Sequence, residues 1–115
     1  MAISEYKSGT ASVSTTEYSL VNNSTTIATD ATDGVYQAFI DVSNMVAGDQ
    51  LNINIYEKCR SADTQRLIYS SDLIGAQPQP IWVSPSLVLM HGWDITVTTV
   101  VGGTITVNWS IRQVA

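Results

Sequence analysis

Charge is scarce in this sequence of 115 residues. Only 13% of positions are Asp, Glu, Lys or Arg, against about 25% in an average soluble protein. Basic side chains are scarcer still, five against ten acidic ones, so the net charge is −5 and the isoelectric point lies near 4.4. Such a surface repels phosphate, which argues against nucleic-acid and anionic-membrane partners. A single cysteine, Cys59, makes no intramolecular disulfide, so the chain is not a stapled mini-domain. With His91 as the one histidine, the sequence cannot complete a tetrahedral zinc site of Cys and His. No apolar run approaches the roughly 18 residues of a membrane span, the longest breaking at Pro85, His91 or Asp94. The opening Met1-Ala2-Ile3-Ser4-Glu5-Tyr6 has no basic region and no apolar run. A chain made in a cytosol is expected, staying there unless it leaves within a particle. The Asn-x-Ser/Thr matches at Asn22, Asn23 and Asn108 are then chance.

Hydroxyls take the place of charge, with 13 Ser and 13 Thr, while 44% of residues are apolar. That mixture opposes charge-driven disorder. The length suits one domain over 1–115, large enough to bury a core without metal or disulfide.

Apolar residues recur with period two, the mark of half-buried strands. In Gly103 to Arg112, Ile105, Val107, Trp109 and Ile111 share one face. Asp94 to Val101 alternates likewise, and Gly102-Gly103 between them predicts a tight antiparallel hairpin. A second hairpin is expected from Leu51 through Arg60, a loop over Ser61 to Thr64, and a return from Gln65 to Ile74. Val35 to Val42 reads as a strand with Tyr36, Ala38, Ile40 and Val42 inward and a mixed, partly covered outer face of Val35, Gln37, Phe39 and Asp41. Ser43 to Asp49 reads as one helical turn stopped by Gly48. Gln77-Pro78-Gln79-Pro80 is a loop. Ile81 to Met90 is an apolar strand broken at Ser84-Pro85-Ser86, placed at an edge or bending between two sheets. Residues 1–16 form an N-terminal arm or an edge strand, with plausible strands over Thr10 to Thr16 and Glu17 to Val21. Asn22 to Gly34 is a polar loop or mobile arm.

About eight short strands, with at most one helical turn, predict an all-β, antiparallel β-sandwich of jelly-roll type. An immunoglobulin-like sandwich is the other open form.

Chemistry is sparse. His91 with Asp94 and Ser84 or Ser86 has neither a nucleophile elbow nor an oxyanion loop, so His91 reads as a loop residue that bonds a carbonyl or a partner subunit. Cys59, between Lys58 and Arg60 on a strand, reads as a buried, inert thiol. Asp30-Ala31-Thr32-Asp33-Gly34 resembles part of a calcium loop but lacks the remaining ligands, and reads as an Asx turn. Neither a P-loop nor a dinucleotide fingerprint is present, and no metal or cofactor is expected. Trp109 belongs to the core by its aliphatic neighbours, whereas Trp82 and Trp93 flank loops, where aromatics anchor interfaces.

Several segments carry a family likeness: Asp33-Gly34-Val35-Tyr36-Gln37, Glu57-Lys58-Cys59-Arg60-Ser61 with Gln65-Arg66, Ile81-Trp82-Val83-Ser84-Pro85-Ser86 and His91-Gly92-Trp93-Asp94. In these and in its Thr/Ser-rich start, the chain resembles small β-sandwich head-decoration, or capsid cement, proteins of tailed bacteriophages. The resemblance implies a non-enzymatic virion protein on the capsid surface. It would associate with itself as a symmetric dimer or trimer, bridge major capsid protein subunits, and use Trp82, Trp93, His91, Tyr6 and Tyr18 as its interface. A phage tail or fibre component, and a carbohydrate-binding module stacking sugars on exposed Trp and Tyr, are the competing expectations.

Overall fold

The computed structural model describes residues 2–114 and measures 40 × 32 × 20 Å. Among these residues there are nine strands and no helix. They are β1 (Ile3–Val13), β2 (Tyr18–Ser19), β3 (Gly34–Asp41), β4 (Gln50–Glu57), β5 (Arg66–Ile74), β6 (Ile81–Val83), β7 (Leu87–Leu89), β8 (Asp94–Val101) and β9 (Ile105–Val114). The first sheet runs β1-β9-β3-β6, with β7 also paired to β3, and the second runs β2-β8-β4-β5. All pairings are antiparallel. With β6 and β7 counted as one broken strand, eight strands wind so that most successive strands lie in opposite sheets. This is a jelly-roll β-sandwich.

The core lies between the sheets. From the first come Tyr36, Ala38 and Ile40 on β3 and Ile105, Val107, Trp109 and Ile111 on β9. The second contributes Leu51, Ile53 and Ile55 on β4 and Ile95 and Val97 on β8. A one-residue slip of any of these strands would turn its whole apolar set into water, which fixes the register.

Gly102-Gly103 does not close a hairpin. β8 lies in the second sheet between β2 and β4, and β9 in the first between β1 and β3. Gly102, at φ 109°, turns the chain from one sheet to the other. Alternation cannot separate a hairpin from such an arch, because both put the same residues inward.

Ser43 to Asp49 forms no helical turn. Two successive turns replace it, closed by Met45 N–H to Val42 O at 3.0 Å and Asp49 N–H to Val46 O at 3.1 Å, with Asp49 Oδ2 accepting from Val46 N–H at 2.9 Å. The Pro85 segment lies at a sheet edge but does not pass between sheets: β6 and β7 both pair with β3. Buried Ser84 spans the gap, giving its N–H to Ala38 O and accepting Ala38 N–H on its Oγ, both at 2.9 Å. Within the stretch expected as an arm or edge strand, Ile3–Val13 is the edge strand β1, paired with β9 from Ile3↔Val114 to Val13↔Ile105. A bulge between Glu5 and Lys7 re-aims Tyr6 toward the core. At Gly9, β1 passes so close to the Trp109 indole that a Cβ would sit 3.0 Å from its Cζ2.

Cys59 is neither on a strand nor buried. β4 ends at Glu57, because Lys58 N–H turns away to His91 O at 2.9 Å, and Cys59 is exposed in the loop that follows. Arg60 closes that loop on Asp63, with Nη2 to Oδ1 at 2.9 Å and Nε to Oδ2 at 3.1 Å. Native protein is therefore expected to react with a thiol reagent about as fast as denatured protein. Slow native labelling would restore the buried reading.

Candidate functional site

Of the residues expected to form an interface, Tyr6, Tyr18, Trp82 and His91 are half-buried. Trp93 is fully buried. Its ring packs 4.5 Å from Tyr36 and 5.9 Å from Tyr6, and Nε1 donates to Thr32 O at 3.0 Å. The reason lies in the backbone: Trp93 bridges Asp30 through a pair of N–H to O bonds of 2.8 and 3.0 Å, which draws the indole under the 28–33 loop. Half-buried Tyr6 gives its hydroxyl to Asp30 Oδ2 at 2.6 Å and stands 5.3 Å from Tyr36, edge to face. Burial, then the neighbouring Asp30, raises its pKa. Burial above all, then the nearby Tyr6, Asp30 and Asp33, pushes Tyr36 up to about 12. Both phenols stay protonated and act as donors. Tyr18 donates to Asn23 Oδ1 at 2.6 Å. Trp82 is half-buried on β6, beside a cleft of about 410 Å³ with Gln77 and Pro78. His91 is half-buried in the loop before β8, with its N–H on Glu57 Oε1 at 3.0 Å.

The structure brings no His–Asp–Ser set together. Asp94 Oδ1 accepts from Ser19 Oγ and Ile95 N–H, both at 2.8 Å, and Oδ2 from Ala28 N–H at 2.9 Å. Ser84 Oγ donates to Pro85 O at 2.8 Å. Asp30-Gly34 contains the expected Asx turn, Thr32 N–H to Asp30 Oδ1 at 2.8 Å. Among the described residues, no group of three or more His, Cys, Asp and Glu is placed to hold a metal ion.

Asp94 ties Ser19 on β2 and Ala28, within the Asn22 to Gly34 tract expected as a polar loop or mobile arm, to β8. Desolvation lifts its pKa from the ordinary 3.8 to about 6, against the lowering effect of its hydrogen bonds. The folded state therefore holds this proton more tightly than the unfolded chain. The resulting stability is fully present below about pH 4 and lost as pH rises through 6, by at most about 3 kcal/mol. Asp41, held low by its bonds from Ser43, acts below this window. The melting temperature should rise as pH falls from 7 to 5, and Asp94→Asn should flatten that slope. An unchanged slope in the variant would assign it elsewhere.

Strand register extends across four strands the mixed outer set of β3, Val35, Gln37, Phe39 and Asp41. On the outer face of the first sheet, directly opposed residues fall into rows across the strands. The first row is Ile3, Val114, Val35 and Val88, aliphatic on all four strands. Next comes Glu5, Arg112 and Gln37, then Ser8, Ser110, Phe39 and Val83, then Thr10, Asn108, Asp41 and Ile81. Val88 is 78% exposed, Ile3 70% and Ile81 54%. The Arg112 guanidinium lies 3.7 Å from the Phe39 ring centroid, and a shallow groove of about 170 Å³ runs between Ile3, Val35, Phe39, Arg112 and Val114. The second sheet is dressed differently. Its outer face links Asn52 Nδ2 to Asp72 Oδ1 at 2.9 Å, Ser70 Oγ to Asn54 Oδ1 at 2.7 Å and Tyr56 OH to Glu17 Oε2 at 2.6 Å. The first sheet's outer face thus carries one aliphatic row beside rows that mix polar and apolar residues, and Leu67, Ile68 and Ile74 stand exposed on β5 of the second sheet. The available signal was the second, outward set of alternating residues on β3, in which Val35 and Phe39 stand where polar residues would face water.

No family model and no curated protein matches this chain. Among solved structures it is similar to the Yersinia pseudotuberculosis-derived mitogen, with a TM-score of 0.55, 10% identity, and coverage of 99% of this chain and 86% of that one. It is also similar to the protein of Bacillus endospore appendages, described as disulfide-linked pili, with a TM-score of 0.51, 12% identity, and coverage of 97% and 88%. At these identities the likeness concerns the fold. The class is thus a jelly-roll β-sandwich.

Proposed function

We propose that the protein is a non-enzymatic structural component that works by association, and that its specific role is to decorate and stabilise a bacteriophage head by bridging capsid subunits. The observation that carries the first part is the aliphatic row Ile3, Val114, Val35 and Val88 on the outer face of the first sheet. Aliphatic side chains aligned on the outside of a sheet favour contact with another surface. The titratable and hydroxyl groups that suggested chemistry, Asp94, Ser84 and Asp30, are consumed by bonds within the fold. The capsid role comes from the sequence resemblance. It is supported by sparse charge, which lets many copies crowd on one surface without strong mutual repulsion. The pilus protein named above has a similar fold, in keeping with a sandwich used as a building block.

Many weak contacts on a repeated shell add up, and a partner that binds only the assembled shell stabilises it. Purified protein added to undecorated heads should cosediment with them and raise the temperature at which the shells break. With only five basic side chains in the chain, high salt alone should not strip it. Protein that stays in the supernatant and leaves the shells unchanged would defeat the capsid role and favour a tail component. Binding on a glycan array would favour a sugar-binding module.

A further inference from the structure

We propose that two copies of this chain pair edge to edge through β5, joining their second sheets about a two-fold axis at Ser71. The inference rests on the association reading above and uses a surface apart from the aliphatic row.

Three of the four strand edges of the sandwich are blunted. β2 is only Tyr18–Ser19, β6 and β7 are short pieces broken at Ser84-Pro85-Ser86, and β1 is bulged between Glu5 and Lys7, two charged residues. β5 is the fourth, and it pairs on one side only, with β4. From Tyr69↔Ile55 to Ile74↔Gln50 its register is unbroken, and its bulge falls at Ile68. Ile68 to Ile74 holds no Pro, Gly, Lys or Arg, and Asp72 is its one charge. Ile68, Tyr69 and Ile74 are exposed. A long, apolar edge of this kind is a template for another strand.

The backbone is in phase to take one. Gly75 gives its N–H to Asp49 O at 2.8 Å, beside the Ile74↔Gln50 pair, which makes that pair the non-hydrogen-bonded kind. Alternation then turns the N–H and C=O groups of Ser70, Asp72 and Ile74 to the open side. Gln77 Nε2 donates to Ile74 O there at 3.1 Å. Among the described residues nothing bonds the outward backbone groups of Ser70 and Asp72.

The order of side chains selects a second copy. Ile68-Tyr69-Ser70-Ser71-Asp72-Leu73-Ile74 has nearly the same polarity read from either end. Antiparallel pairing about Ser71 sets Ile68 against Ile74, Tyr69 against Leu73 and Ser70 against Asp72, so each exposed apolar residue meets an apolar one. Neighbouring registers lose the match. An axis at Ser70 would face Ile68 with Asp72, and an axis at Asp72 would face the two carboxylates with each other. About Ser71, the two Asp72 residues are diagonal neighbours roughly 7–8 Å apart, and each keeps its bond from Asn52 of its own chain. Ser70 and the other copy's Asp72 exchange both N–H to O bonds, on each side of the axis. The contact is isologous and closed, and it removes the open edge from both copies.

Sedimentation of the full-length chain over a concentration series should show a monomer–dimer equilibrium. Ile68→Lys with Ile74→Lys sets like charges across the seam and should weaken pairing at least 100-fold. Ile68→Lys with Ile74→Glu sets opposite charges there and should restore pairing in a salt-sensitive form. Both positions are exposed, and circular dichroism should confirm that both double variants fold. Disulfide trapping in a Cys59→Ser background reads the register. Ser71→Cys should cross-link two copies, because the facing Cα atoms of a non-hydrogen-bonded pair stand about 4.5 Å apart. Asp72→Cys, on the diagonal, should not. The proposal is overturned by a monomeric wild type, by normal pairing of the first double variant, or by a folded second variant that stays monomeric. Cross-linking through Asp72→Cys in place of Ser71→Cys would overturn it as well. If the wild type stays monomeric yet cosediments with heads, only the pairing falls. If it pairs but never binds heads, only the capsid role falls.

Discussion

Trp93→Ala should cost about 3–5 kcal/mol of folding stability, the range for deleting a large buried aromatic. Trp93 is fully buried, stacks near Tyr36 and Tyr6, and holds the 28–33 loop through its bond to Thr32 O. Against a total stability of roughly 5–15 kcal/mol, such a loss leaves the domain partly unfolded on modest warming. Trp93→Phe keeps much of the ring and should be milder, with the lost bond accounting for about 0.5–1.5 kcal/mol of its cost. Chemical denaturation of both variants checks this. A midpoint unchanged for Trp93→Ala would put the indole at the surface after all.

Trp109→Ala should be comparably severe, again about 3–5 kcal/mol. Trp109 stands in the middle of β9, buried opposite Ile40 on one side and Gly9 on the other. Its indole differs from that of Trp93 in one respect: Nε1 is buried with no hydrogen-bond partner among the described residues. Trp109→Phe therefore removes an unpaired donor and should be milder than Trp93→Phe, although both shed the same atoms. Equal losses in the two Phe variants would show that the Trp93 bond contributes nothing.

Period-two alternation made the strands and their inward faces legible: Tyr36, Ala38 and Ile40, then Leu51, Ile53 and Ile55, then Ile105 to Ile111 all lie where alternation puts them. It could not say which strands share a sheet. Gly102-Gly103 fits a hairpin and an arch equally well, and only the pairing of β9 with β1 and β3 decides. Cys59 was misplaced because the strand pattern was extended past Glu57, where the backbone turns to His91 O. Trp93 was misplaced because a neighbouring Gly92 and a short local sequence suggest a surface loop. What buries it is a long-range bridge to Asp30, 63 residues earlier, invisible to local pattern. The aliphatic row was hidden for a related reason. Ile3, Val114, Val35 and Val88 come from four distant segments, and only register places them in one row.

The account holds that this sandwich is a building block of a larger assembly, and counting it in that assembly is the most direct test. Purified, nuclease-treated phage particles from a host expressing this chain can be quantified by mass spectrometry against labelled standards. The account predicts the chain in intact heads at a fixed, reproducible ratio to the major capsid protein, retained through high-salt washing. Absence from the particles, or a trace amount unrelated to the capsid protein, would contradict it.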